Sequence, residues 1–526
     1  MAESEYDAFG TGHSSTSISA ALGMATASAL TEDNGRLHIA VIGDGAMTGG
    51  MAMEAMNNAG VSNANLLVIL NDNGIAIDKN VGAIKESLAV MISSKTYNKI
   101  KDKIWLLLGG GTKYGKNTRA IVKQIGNAVK STILKRSNLF ESLNFRYFGP
   151  IDGNDVVHLS KILRDLQRIQ GPKLLHIVTT KGKGFEVAEK NQTTFHSPGT
   201  FDRKTGKLTN HESLEKQAPK YQTVFGKTII ELAKKNDKIV GITPAMPTGC
   251  SLNLMMEVMP ERVFDVGIAE QHAVTFAAGL AMEGMRPVVS IYSTFMQRAL
   301  DQIIHDVCLP DLPVTFALDR GGVVGDDGPT HHGVFDLSFL RFIPNLTVMA
   351  PKDENELQHM LYTSITGDSP CAIRYPRGSG EDISMDETFT TLPLGRAELL
   401  RAGNDVLLLP VGNRVYPALE AAEGLAKLGI DAAVINPRFI KPLDNELIGK
   451  WAKTCGRVVT VEDNVKKGGF GSAVLQMLHE LHLTLPVRTL GYGNKFIDQA
   501  PQKVLWKNAG IDAAGIIKGA LEVLKQ

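Results

Sequence analysis

Cysteine is scarce in this chain of 526 residues, which has only Cys250, Cys308, Cys371 and Cys455. The four are scattered, and none has a partner at metal-site spacing. A reducing cytoplasm is the simplest setting for such a chain. Charge of one sign is also lacking: the formal balance is +1. That balance gives no overall drive toward nucleic acid or an anionic membrane. No uninterrupted apolar run is long enough to span a bilayer. The start, Met1-Ala2-Glu3-Ser4-Glu5-Tyr6-Asp7, is acidic and has no apolar core, so it reads as neither a secretory nor a transit peptide.

What is present is an ordinary globular composition, 43% hydrophobic and 21% charged, in a chain long enough for about three to four domains. Short apolar runs alternate with helical segments throughout. Strands are expected at residues 37–42, 66–70 and 174–179, then at 263–266, 288–292, 314–318 and 372–375, and finally at 406–411, 432–435, 458–461 and 487–490. An amphipathic helix is expected over 223–234. A polar stretch at 205–220 and a charged, strand-poor one at 378–390 divide the pattern into three blocks, 1–215, 220–380 and 385–526. The fold class is therefore α/β, with three doubly wound, mainly parallel-sheet domains in series. Between residues 79 and 136, thirteen Lys or Arg face two acids, Glu86 and Asp102. Aromatic residues are not interleaved there as single-strand stacking requires. The segment reads as a solvated, mobile, partly helical excursion, and no nucleic-acid partner is expected.

The most informative motif is a pair. Ile42-Gly43-Asp44-Gly45-Ala46 follows one apolar run, and Leu70-Asn71-Asp72-Asn73 closes the next. A helix fits between them, giving strand, helix, strand with an oxygen ligand at the carboxyl end of each strand. Neighbouring parallel strands bring such ends together where α/β proteins bind ligands. A carboxylate and an amide oxygen suit Mg²⁺, which keeps part of its shell for water and phosphate. The pattern resembles the metal-diphosphate anchor of thiamine diphosphate enzymes. Gly10-Thr11-Gly12-His13-Ser14-Ser15-Thr16 precedes a second helix, expected to begin near Ile18. Its glycines and hydroxyls can direct N–H groups at an anion, although a Ser/Thr helix cap looks similar.

A carboxyl at Glu270, in Phe264-Asp265-Val266-Gly267-Ile268-Ala269-Glu270-Gln271-His272-Ala273, stands where a strand gives way to a helix. There it can serve the aminopyrimidine of the same cofactor, favouring the imino tautomer that takes the thiazolium C2 proton. The bland reading is an exposed first-turn glutamate. Asp319 to Gly333 form a glycine-dense loop after a strand, and such loops collect catalytic side chains. In it, His331 can relay protons and Asp327 can hold a substrate hydroxyl. Arg320 and Arg377, just past two different strands, can clamp a phosphate. Tyr292 and Arg298 follow another strand end of the same block. Lys466-Lys467-Gly468-Gly469-Phe470-Gly471-Ser472 lacks full phosphate-loop spacing and reads as a helix-start turn. No Ser-His-Asp or Cys-His arrangement has better support.

Together these residues resemble the 1-deoxy-D-xylulose-5-phosphate synthase family, relatives of transketolase. Ala269-Glu270-Gln271-His272-Ala273-Val274-Thr275-Phe276 and Gly328-Pro329-Thr330-His331-His332-Gly333 carry the resemblance most specifically. It implies a transketolase-like fold and decarboxylation of pyruvate on thiamine diphosphate. The two-carbon unit would then join D-glyceraldehyde 3-phosphate, giving 1-deoxy-D-xylulose 5-phosphate, a precursor for isoprenoids, thiamine and pyridoxal. Asp44 and Asn73 match the family's Mg²⁺ ligands. Gly12, His13, Ser14, Gly45 and Ala46 match cofactor contacts, and Glu270 matches the activating glutamate. His331, Asp327, Tyr292, Arg298, Arg320 and Arg377 match residues that handle substrate, and His196 matches a further active-site histidine. Phe185 stands beside the cofactor where the family usually has Tyr, a loss of one hydroxyl. A cytoplasmic homodimer is implied, without a membrane partner. The family's chain begins well before the part matching Tyr6, with strands and two histidines. Without that segment this chain is expected to be less than fully active, as a truncated chain, an engineered fragment or one half of a split enzyme. Another thiamine-dependent ketol transferase, or a non-catalytic fragment that assembles with a partner chain, are the alternatives.

Overall fold

The computed structural model describes residues 4–6, 8–32, 35–75, 78, 80–93, 138–196, 198–208 and 218–525. Most of the basic excursion, including Gly109-Gly110-Gly111, lies outside the described residues, as does much of the 205–220 linker. Packing divides the chain into two compact units, residues 1–211 with 267–269, and residues 212–266 with 270–526.

The first unit is built on β1 (His38–Gly43), β2 (Leu66–Asp72), β3 (Arg146–Asp152) and β4 (Lys173–Val178). They form one parallel sheet in the order β1-β2-β4-β3. The unbroken apolar run of β2 follows from its central place, since both of its faces are covered. Leu66, Val68 and Leu70 pack on one side with Ile18, Met47 and Met56. Leu67 and Ile69 pack on the other with Leu166, Leu175 and Ile177. Each such fully buried side chain contributes about 1.5–3 kcal/mol. β1 lies at the edge, and Ile39 and Val41 are exposed. The helices Ser17–Leu30 and Gly50–Val61 begin at the ends of the two glycine-rich motifs. Each motif therefore lies against the carboxyl edge of the sheet.

The second unit holds two sheets. Its strands are β5 (Ile239–Thr243), β6 (Val263–Asp265), β7 (Arg286–Tyr292), β8 (Thr315–Asp319), β9 (Thr347–Met349), β10 (Cys371–Arg374), β11 (Glu398–Arg401), β12 (Val406–Pro410), β13 (Ala432–Asn436), β14 (Phe439–Lys441), β15 (Val458–Val465) and β16 (Val487–Tyr492). One sheet runs β14-β9-β10-β8-β7-β5-β6 and the other β11-β13-β12-β15-β16. Both are parallel except at one edge, where β14 pairs antiparallel with β9 and β11 with β13. The third block thus donates a strand to the sheet of the second, which helps make them one packed unit.

Five strands, β3, β5, β9, β11 and β14, are absent from the sequence expectation. β9 and β14 are three residues each, too short for a periodic signal. β3 contains Gly149-Pro150, which reads as a breaker. The turn at Lys466–Ser472 does start a helix, Phe470–Glu480. Its first N–H groups, Phe470 N and Gly471 N, donate to the buried Glu462 carboxyl at 2.7 and 2.9 Å. The anion position at that helix start is therefore filled from within.

Candidate active site

In the first unit, β1 and β2 run parallel with Gly43 opposite Asn71, so Asp44 and Asn73 emerge at neighbouring strand ends. Asp44 is buried. Its Oδ2 accepts from Gly74 N at 3.1 Å and from Asn80 Nδ2 at 2.5 Å. Burial, and then the nearby Asp72 carboxylate, push the Asp44 carboxyl above its ordinary range. A cation beside it would relieve both. Asn73 Oδ1 accepts from Ile75 N at 3.1 Å, and a carbonyl oxygen with one donor keeps a lone pair for another partner. The Asn71 amide oxygen instead holds Thr179 Oγ1 at 2.7 Å. Among the described residues, no group of three His, Cys, Asp or Glu is placed to hold a metal. The protein thus offers two hard oxygens, and the rest of a Mg²⁺ shell must come from water and a bound anion, as that ion prefers. The donor set fits a metal-bridged diphosphate.

The second glycine motif lies beside the first. Ser15 Oγ donates to Ala46 O at 2.7 Å, which ties the segment carrying Gly12, His13 and Ser14 to Gly45 and Ala46. A Cβ on Gly49 would come 2.4 Å from that hydroxyl, so the close approach requires glycine there. His196 contacts Lys181 Nζ through Nδ1. Burial, and then that ammonium, hold the His196 imidazole below its usual range. The Phe185 ring stacks on Phe201 at 5.8 Å and meets Phe195 edge-on at 5.6 Å.

A chain of three residues escaped the sequence reading. Asp72 Oδ2 meets His176 Nε2 at 3.1 Å, and Tyr147 OH meets His176 Nδ1 at 2.6 Å. The one signal for it is a polar His176 inside the apolar run Leu174–Val178 of β4. Asn80 and Lys181 were also not singled out.

In the second unit, Glu270 opens the helix Glu270–Met282 and is buried, so it is not the solvated first-turn residue of the bland reading. Arg298 Nη1 lies 3.5 Å from its Oε1. Tyr292 ends β7, and Asp319 ends the neighbouring β8. Arg320 follows in the left-handed region, φ 62°. Its backbone N–H donates to Asp319 Oδ1 at 2.6 Å, and its guanidinium lies 3.8 Å over the Tyr292 ring. Asp327 Oδ2 sits between two cations, 3.2 Å from Arg320 Nη1 and 2.9 Å from Arg377 Nη1. The two arginines therefore converge on a single oxygen. Burial pushes the Asp319 carboxyl up to about 7 against the pull of Arg320 and Arg377. His331 meets the Phe295 ring edge-on at 5.5 Å, and Phe295 stacks on Tyr292 at 5.7 Å. His332 turns inward, and its Nδ1 accepts from Val324 N at 3.1 Å.

A family model described as 1-deoxy-D-xylulose-5-phosphate synthase matches residues 1–179. Models of the transketolase pyrimidine binding domain and the transketolase C-terminal domain match residues 217–381 and 395–516. A 1-deoxy-D-xylulose-5-phosphate synthase of Desulfotalea psychrophila is 54% identical over 530 residues, covering 100% of this chain and 81% of the relative. One of Cytophaga hutchinsonii is 53% identical, covering 98% and 81% respectively. Among solved structures, a split-gene transketolase described as an inactive β4 tetramer is similar at TM-score 0.53 and 30% identity. That match covers 59% of this chain and 99% of the other.

Proposed function

The chain belongs to the 1-deoxy-D-xylulose-5-phosphate synthase family, and from that premise we propose how its residues share the work of the reaction. The function is that of a transketolase-type transferase. Pyruvate loses CO₂, and its remaining two carbons join D-glyceraldehyde 3-phosphate to give 1-deoxy-D-xylulose 5-phosphate, a precursor for isoprenoids. Thiamine diphosphate, when bound, supplies the electron sink for decarboxylation.

Asp44 and Asn73 would hold Mg²⁺, and Gly12, His13, Ser14, Gly45 and Ala46 would line the diphosphate site. The raised Asp44 carboxyl and its two neutral donors support this role. Phe185, from its aromatic cluster, would flank the cofactor. Glu270 would accept or donate the hydrogen bond to the aminopyrimidine, and Arg298 keeps the Glu270 carboxyl oriented. Arg320 and Arg377 bind the aldehyde's phosphate, a dianion that suits two converging guanidinium groups. Asp327 then holds a substrate hydroxyl. Tyr292, His331 and His196 position substrate and exchange its protons. The observation that carries the substrate assignment is the convergence of Arg320 and Arg377 on one anionic oxygen. A homodimer in the cytoplasm is the setting we assign. All four cysteines are free thiols, in keeping with a reducing compartment. No helix among the described residues is long and apolar enough to cross a membrane.

The test is to supply labelled pyruvate with and without D-glyceraldehyde 3-phosphate and to follow CO₂ and the sugar product. The synthase reading predicts CO₂ release that requires the aldehyde, with 1-deoxy-D-xylulose 5-phosphate formed in step. Transfer from a ketose donor, without CO₂, would replace it with a transketolase reading.

A further inference from the structure

Arg320 lies one residue past β8 and Arg377 three residues past β10. These two strands are neighbours in one sheet, and Gly321 N extends the pairing to Tyr375 O at 2.9 Å, two residues short of Arg377, whose own place is still to be fixed. Other groups fix it, and they come from the third sheet and its helices. Gln502 begins the helix Gln502–Ala509. Its Nε2 donates to Val323 O at 2.8 Å and to Arg377 O at 3.3 Å. One amide thus joins the loop after Arg320 to the backbone of Arg377 itself.

The same loop rests on Asp463, whose Oδ1 accepts from Val323 N at 3.2 Å. Asp463 is held in turn by Tyr492 OH and by Trp506 Nε1, each at 2.9 Å. A Cβ on Gly322 would come 2.3 Å from Asp463 Oδ2, so the loop lies directly on this carboxylate. Val324 O accepts from Arg377 Nη1 at 3.1 Å. The loop carbonyls therefore set where both the backbone and the guanidinium of Arg377 can lie.

We propose that Gln502 is a positioning residue for the substrate phosphate, holding Arg320 and Arg377 at the spacing one phosphate group spans. This gives the third block a part in recognising the phosphorylated substrate. The inference rests on the reading of Arg320 and Arg377 as the phosphate clamp. Without the Gln502 N–H groups, Val323 O and Arg377 O each lose a donor, and the tie that sets the Arg377 backbone against the loop is weakened. Phosphate affinity falls while contacts to pyruvate are untouched.

The test compares wild type with Gln502→Met and Gln502→Glu, using Arg320→Ala as the control for the clamp. Both Gln502 variants keep the side-chain length, and neither presents an N–H to the two carbonyls at neutral pH. Steady-state kinetics and calorimetry on the cofactor-loaded protein give KM and Kd for D-glyceraldehyde 3-phosphate, and kinetics give KM for pyruvate. Loss of one or two hydrogen bonds predicts about a fivefold rise in both aldehyde constants for each Gln502 variant. The pyruvate KM stays at its wild-type value, and any fall in melting temperature is common to both substrates' assays and does not explain a selective loss. The inference is overturned if Arg320→Ala weakens aldehyde binding and both Gln502 variants leave it unchanged. Equal losses for both substrates mark a general packing role and also overturn it. An Arg320→Ala protein with unchanged aldehyde binding removes the clamp, and the inference with it.

Discussion

Asp44 in the first unit and Asp327 in the second are both loop aspartates close to the carboxyl ends of parallel strands. The named donors to Asp44 are neutral, a backbone N–H and the Asn80 amide, and burial with Asp72 raises its carboxyl. Asp327 lies between two guanidinium groups. The first environment favours an incoming cation. The second favours a bound anion, and Asp327 occupies that place from within the chain. On the proposed assignment one residue type serves opposite ligands, and the choice is made by what lies beside each carboxylate.

The largest effect should come from a residue that neither charge environment explains. Glu270→Gln keeps the shape of the buried side chain but removes an ionisable carboxyl. We expect turnover to fall by about 10²–10⁴-fold, while Mg²⁺-dependent cofactor binding, followed by calorimetry, stays near wild type. Near-normal turnover would reject Glu270 as the activating carboxyl.

Arg320→Ala removes half of the anion site. A charged hydrogen bond of about 1.5–3 kcal/mol predicts a KM for D-glyceraldehyde 3-phosphate raised about 10- to 100-fold, with a much smaller change for pyruvate. Equal changes for both substrates would reject the clamp.

Asp327→Ala sharpens the contrast from the other side. With the internal carboxylate gone, inorganic phosphate should bind several-fold more tightly, as read by inhibition or calorimetry, even as aldehyde turnover falls. Weaker phosphate binding would mean that Asp327 organises the two arginines and does not compete with their ligand.

The smallest expected effect is one of stability. The buried Asp319 carboxyl is pushed up to about 7, above its value in an unfolded chain. The folded state therefore holds the proton more tightly, and this group's contribution to stability is lost as pH rises toward and through about 7. Asp319→Asn keeps an acceptor for Arg320 N–H and removes the ionisation. Its melting temperature relative to wild type should be higher at about pH 8 than at about pH 5. A difference independent of pH would place the ionisation elsewhere.

Much of this was legible in the sequence, for identifiable reasons. Asp44 and Asn73 follow short apolar runs, so the pattern places both residues at strand ends, as the structure has them. Arg320, Asp327 and Arg377 lie just beyond such runs in the same way. That Glu270 is buried was not legible, because a helix first turn accepts a solvated glutamate equally well. Tyr147, His176 and Asp72 meet across three strands, and no local spacing encodes a contact of that kind. Gln502 lies more than one hundred residues from both carbonyls it joins. Its neighbours in sequence, Pro501 and Lys503, say only that a helix begins. The short edge strand β14 depends on pairing with β9, a tertiary choice that propensity does not register.

The central claim is that the strand-end pair forms a cation-dependent diphosphate anchor. The most direct measurement is a calorimetric titration of this chain with thiamine diphosphate, with and without Mg²⁺, in wild type and in Asp44→Ala. The account predicts binding that requires Mg²⁺, is lost in Asp44→Ala, and persists in Arg320→Ala as a control. Cofactor binding of equal strength without Mg²⁺, or unchanged by Asp44→Ala, would contradict it.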